Sequence, residues 1–190
     1  MFWVRVQGTD GAEVLATAEL LARAAVGEGK QAVASSVPMV VPAGAVCAID
    51  GSSSSAAAGP EPAADALIIQ DPDALGSANV FARLSPEAYL LVNSAGGFGD
   101  LGLSQRIDQF CRDRVLILPE AHLDLGPHDG LVRSASMAGG FAALSQVVTL
   151  DSVVTAIRDL MPGSVIEPCL AAAATAYDFV RTEKAALAAA

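Results

Sequence analysis

The chain has 190 residues, 53% of them hydrophobic, and a formal net charge of −10. That length suits one domain, residues 1–190, with a full core, and the acidic balance excludes a nucleic-acid binder, which needs a basic face. Much of the apolar content is alanine, no run approaches the roughly 18 residues that span a bilayer, and no basic and apolar leader follows Met1, so a cytoplasmic protein without a membrane span is expected.

Phe2 to Ala25, FWVRVQGTDGAEVLATAELLARAA, reads as a strand, a glycine turn and a helix. Phe2, Val4 and Val6 alternate with Trp3, Arg5 and Gln7, the period of an extended segment. After Gly8 and Gly11, residues Val14, Leu15, Ala18, Leu21, Ala22 and Ala25 recur at helical spacing, with Glu19 four before Arg23 on the exposed side. Gly8, Thr9, Asp10 and Gly11 could cradle a phosphate on helix N–H groups. They could equally form a plain strand-to-helix turn, and Asp10 and Glu13 place carboxylates where a bound anion would sit. Gly27 and Gly29 end the helix, and Gln31 to Val37 predicts a second strand.

Pro38 and Pro42 bracket Met39 to Val41 in an exposed or partner-covered loop, and Gly44 to Asp50 predicts a further strand. Residues 51–64, GSSSSAAAGPEPAA, read as a flexible surface loop. DALIIQD, EAYLLVN and RVLILPE have the continuous apolar runs of buried parallel strands. Short helices are expected between them, at Ala74 to Leu84 and Ser104 to Arg114. Ser94 to Gly102, with Gly96 and Gly97, lies at the carboxyl end of EAYLLVN, where open α/β sheets gather ligands and partners.

Three helices should follow. Ser134 to Val148 carries Gly139-Gly140, which allow another helix close approach. The next is capped by Thr149 or Asp151, shows a stripe of Val153, Val154, Ile157, Leu160 and Met161, and stops at Pro162-Gly163. The last runs from about Pro168 to Lys184, leaving a frayed tail at 185–190. The class is therefore α/β, with a mostly parallel, doubly wound sheet, helices on both faces and a helical C-terminal segment.

No residue stands out as a catalyst. Cys47, Cys111 and Cys169 are widely spaced and read as buried free thiols rather than cluster or metal ligands. His122 and His128, near Glu120, Asp124 and Asp129, have the residue types of a metal site, but their glycine and proline neighbours favour a polar surface loop. Asp50 or Asp71 could contact a ribose if the chain bound a nucleotide or flavin, though neither has the spacing of a dinucleotide fingerprint.

VRVQGTDGAEVLATAELLARAAVGEGKQAVAS, followed by ADALIIQDPDAL, LLVNSAGG, SMAGGFAAL and TLDSVV, resembles the gamma subunit of 2-oxoacid:ferredoxin (acceptor) oxidoreductases over nearly the whole chain. The resemblance implies a Rossmann-like fold and a hetero-oligomer whose other subunits hold thiamine diphosphate and iron–sulfur clusters and oxidatively decarboxylate a 2-oxoacid. Coenzyme A is then a possible substrate of the complex, and this chain a non-catalytic subunit that binds no cofactor of its own. It would aid assembly and shape the acyl-acceptor entrance with Gly8, Thr9, Asp10, Gly11, Ser94, Gly96 and Gly97. The family's turn carries an arginine and two more glycines than Gly8 to Glu13 does, and its paired arginines have no counterpart in Pro38 to Gly44. Two other readings stay open: a free-standing nucleotide- or flavin-binding protein, and a pseudo-subunit kept only as scaffold.

Overall fold

The computed structural model describes residues 1–37, 42–50, 63–76, 80–119 and 129–189. The expected features at Met39 to Val41, at 51–62 and around His122 and His128 lie outside them. Six strands form one sheet, β1 (Phe2–Gly8), β2 (Ala32–Val37), β3 (Ala43–Ile49), β4 (Ala64–Ile69), β5 (Leu84–Asn93) and β6 (Val115–Leu118), in the order β2-β3-β1-β4-β5-β6. β1, β4, β5 and β6 run parallel, whereas β3 is antiparallel to both β1 and β2. The sheet is thus mostly parallel and mixed. The antiparallel strand follows from the short β2–β3 connection, since a parallel return would need a long crossover.

The longer helices are α1 (Gly11–Gly27), α3 (Asp129–Ser145), α4 (Leu150–Leu160) and α5 (Ile166–Ala189), with a single turn, α2 (Ser104–Ile107), between β5 and β6. Their core joins Leu20, Leu21, Met137, Phe141, Leu144 and Ile157 to Val4, Val6, Ile68 and Leu91 on one sheet face. The alternate residues Leu67, Ile69, Leu90, Val92 and Val115 form a second cluster on the opposite face, with Val80, Phe98, Leu101, Ile107 and Phe110. This face is covered by α2, two 3-10 turns (Pro72–Gly76, Arg112–Arg114) and their loops.

Several boundaries differ from expectation. The helix expected at Ala74 to Leu84 is a 3-10 turn ending at Gly76, and Leu84 already belongs to β5. Ser85 and Pro86 lie inside that strand, where the β4–β5 register shifts between Ala64 and Ala66 and the irregularity tolerates a residue without an N–H. Ser104 to Arg114 breaks into α2 and a 3-10 turn because Cys111 is extended, with φ −65° and ψ 126°. α5 starts at Ile166 rather than Pro168, so the proline occupies the first turn, where no N–H donor is needed, and the helix runs on to Ala189. Thr149 is the N-cap of α4, accepting from Ser152 N. Leu160 leaves the expected apolar stripe and is exposed. Arg23 turns from Glu19 to Asp159, with Nε 2.9 Å from Oδ2. Cys47 and Cys169 are buried, which pushes their thiols up to about 12 and about 11, but Cys111 is exposed beside Glu87.

Candidate functional site

β1, β4 and β5 end side by side at Gly8, Ile69 and Asn93, with Gln70 directly after β4. The chain leaves β1 toward β2 and leaves β4 toward β5, on opposite sides, so the order reverses between β1 and β4. Such a crevice is where open α/β sheets take ligands.

Here the chain's own side chains tie the crevice across. Thr9 Oγ1 donates to Asp71 Oδ2. Gln70, 1% exposed, accepts from Thr17 Oγ1 at 2.7 Å and donates from Nε2 to Ser134 Oγ at 3.1 Å. The Ser134 hydroxyl lies 3.0 Å from the carbonyl oxygens of both Glu13 and Gly130, and Asn93 Nδ2 donates to Gln70 O at 3.1 Å. Sequence reading missed this network. Its signal was a polar residue directly after each of two buried apolar runs, ALII and LLV.

The glycine turn is shaped by packing. A Cβ on Gly8 would lie 3.0 Å from Val14 Cγ1 and 3.5 Å from Gln70 Cβ, so glycine lets α1 pack tightly on the strand ends. Asp10 is the N-cap of α1, and its Oδ1 accepts from Ala12 N at 2.7 Å and Glu13 N at 3.2 Å. Glu13 in turn pairs with Arg133 of α3 at 3.1 Å. The amides that would meet a phosphate are thus engaged by a carboxylate of the chain itself. This turn does not fit the phosphate of a ligand such as coenzyme A.

The second stretch lies at the same end of the sheet, two strands from β1. Ser94 is buried, its N–H donates to Leu118 O at 3.1 Å, and its Oγ accepts from Gly96 N at 3.0 Å. Gly97 N donates to Asp100 Oδ2 at 2.8 Å, and a Cβ on Gly96 would lie 3.1 Å from Asp100 Cβ. Of the two aspartates weighed for a ribose, Asp71 borders the turn. Asp50 follows Ile49, which pairs with Phe2, and so lies at the opposite end of the sheet. No cluster of three or more His, Cys, Asp or Glu suited to a metal occurs among the described residues.

The family model for pyruvate ferredoxin/flavodoxin oxidoreductase matches residues 3–179. The chain belongs to this family. Solved structures agree on the fold: a pyruvate oxidoreductase subunit, PORC, from Thermotoga maritima superposes with a TM-score of 0.71 at 20% identity, covering 93% of this chain and 95% of that one. The gamma subunit of keto/oxoacid ferredoxin oxidoreductase from Geobacter sulfurreducens gives 0.68 at 19% identity, covering 96% and 99%. A search of curated proteins gives no match. Within the pyruvate ferredoxin/flavodoxin oxidoreductase family, the chain combines an α/β fold shared with these two structures with a glycine turn that caps itself. No helix among its described residues is long and apolar enough to cross a membrane.

Proposed function

We propose that this chain is the non-catalytic gamma-type subunit of a cytoplasmic, thiamine-diphosphate- and iron–sulfur-dependent 2-oxoacid:acceptor oxidoreductase. The observation that carries this reading is the family match from residue 3 to residue 179. Thiamine diphosphate, held by a partner subunit, supplies the carbanion chemistry of decarboxylation. The part of this chain is to complete the assembly and to wall the acyl-acceptor entrance with Gly8 to Gly11 and the Ser94 to Gly97 stretch. The Thr9–Asp71 and Gln70–Thr17–Ser134 bonds suit a rigid wall, because each spans two elements at the strand ends.

Co-expression with its partner chains, followed by 2-oxoacid-dependent dye reduction, tests the reading. The complex should turn over, the purified chain alone should not, and the partner chains without it should lose most activity. Full activity of the partners alone would overturn the proposal.

A second test concerns the turn. With Asp10 on the α1 amides, calorimetry of the chain with coenzyme A should show no affinity tighter than roughly 0.1 mM, about −5.5 kcal/mol. Micromolar binding would favour a ligand-binding turn instead.

A further inference from the structure

The two edges of the sheet are built differently. β6 has four residues, follows the charged turn Arg112–Arg114, and is flanked by α5, whose Glu183 and Leu187 line a cavity with Val115 and Ile117. Short length, nearby charge and helical cover are the usual means of blunting a sheet edge. β2 also follows a charged turn, Glu28 to Lys30, and has α1 over one face, but it is longer. It has six residues, pairs with β3 on one side and, among the described residues, with no strand on the other. From Gln31 to Ile49 there is no charged residue, in a chain of net charge −10. Two exposed large apolar side chains, Val26 at 43% and Leu160 at 45%, adjoin this edge. With Ala22, Ala32 and Ala34 they line an open cavity of about 390 Å³, rimmed by Glu19 and Arg23.

We infer that β2 is the seam of a homodimer, paired antiparallel with β2 of a second copy about a two-fold axis normal to the sheet. The unpaired backbone edge calls for an extended strand, and the absence of charge removes like-charge repulsion between two acidic chains at their closest approach. Ala32 and Ala34 face the α1 layer. Continuing that layer across the joint requires paired residues to point the same way, which centres the register on Ala34 or Ser35. The two α1 helices then lie antiparallel over the seam. Val26 and Leu160 of each copy are buried between them, and Glu19 of one copy comes opposite Arg23 of the other. Arg23 bonds Asp159 through Nε and Nη2, and its fork of five donors leaves Nη1 for that contact. The contact is isologous and closed, so both open edges are used at once.

Sedimentation equilibrium of the full chain should give twice the chain mass, with a dissociation constant of roughly 10 µM or tighter. The double substitution Val26→Glu/Leu160→Glu, on helix surfaces, should weaken the dimer at least tenfold without lowering the melting temperature of the dilute, monomeric chain. In a Cys111→Ser background, Ala34→Cys and Ser35→Cys are made separately, and the one that lies on the two-fold axis should form an interchain disulfide on mild oxidation. The inference is overturned by a chain that stays monomeric at roughly 100 µM, by a dimer that tolerates the double substitution, or by both cysteine variants failing to cross-link. It is equally overturned if another subunit, rather than a second copy, occupies this edge in the purified complex.

Discussion

Replacing Gly139 with valine should lower the melting temperature by roughly 6–12 °C, a loss of about 3 kcal/mol in a chain of this size. Gly139 sits where α3 crosses α5, and a Cβ there would lie 2.7 Å from Ala173 Cα and 2.8 Å from its carbonyl carbon, with the carbonyl oxygen closer still. The obstacle is backbone, so no rotamer change relieves it and the two helices must move apart. That separation opens the core around Met137, Ala138, Phe141 and Cys169, all of them buried. The better helix propensity of valine returns only a few tenths of a kcal/mol. A control is Gly27→Ala, at an exposed helix end where nothing lies within 4 Å, which should be neutral or slightly stabilising. Thermal unfolding of both variants checks the pair, and an unchanged Gly139→Val would mean that α3 and α5 do not cross there.

Gly139-Gly140 shows how far sequence reasoning reaches. Two small residues in the middle of an apolar helix state that something comes close, and α5 does. The continuous apolar runs likewise announced β4, β5 and β6, because strands buried on both faces need such runs. The reversal of β3 was harder to see. Its direction is decided by which neighbour it meets, and an alternating or apolar stretch carries no sign of direction. The apolar run EAYLLVN begins only after Pro86, yet β5 already starts at Leu84. Proline normally ends a strand, but a register shift in the β4–β5 ladder accommodates it within β5.

At the candidate site, the local chemistry was legible and the long-range chemistry was not. Asp10 in the turn pointed to a capping carboxylate, and it caps α1. Thr17 and Ser134 gave no comparable sign, since each is an ordinary polar residue in its own segment, and Gln70 gave only its place after a buried run, which names no partner. They become a network only when α1, the exit of β4 and α3 are packed together. The same holds for Glu28. It reads as a surface residue at a helix end, yet it reaches across 121 positions to the start of α4.

Glu28 should make the chain acid-sensitive in a way a single substitution reveals. Its Oε1 accepts from Thr149 N at 2.6 Å, Thr149 Oγ1 at 2.8 Å and Ser152 Oγ at 2.5 Å, while Lys30 Nζ lies 2.8 Å from Oε2. The carboxylate therefore sits at the N-terminus of α4, where the helix dipole favours negative charge, and fastens that helix to the end of α1. Burial pushes the carboxyl up, but the hydrogen bonds from Lys30, Ser152 and Thr149 more than reverse this and hold it at about 2, against 4.5 when unperturbed. A depressed value in the folded state means the unfolded chain binds the proton more readily. The stabilisation is thus complete above about pH 4.5 and is lost as pH falls toward 2. Full linkage would be worth about 3 kcal/mol. The side chain remains 20% exposed, so solvent screening brings this to about 2 kcal/mol. Glu28→Gln cannot carry the charge and should be less stable than the parent by about that amount at pH 7. Urea unfolding of both proteins from pH 7 to pH 2.5 should show the gap closing mostly below pH 4.5. Acid weakens other carboxylate contacts in both proteins alike, so the difference between them isolates Glu28. A gap that stays constant across that range would show that the carboxylate holds α4 by shape rather than by charge.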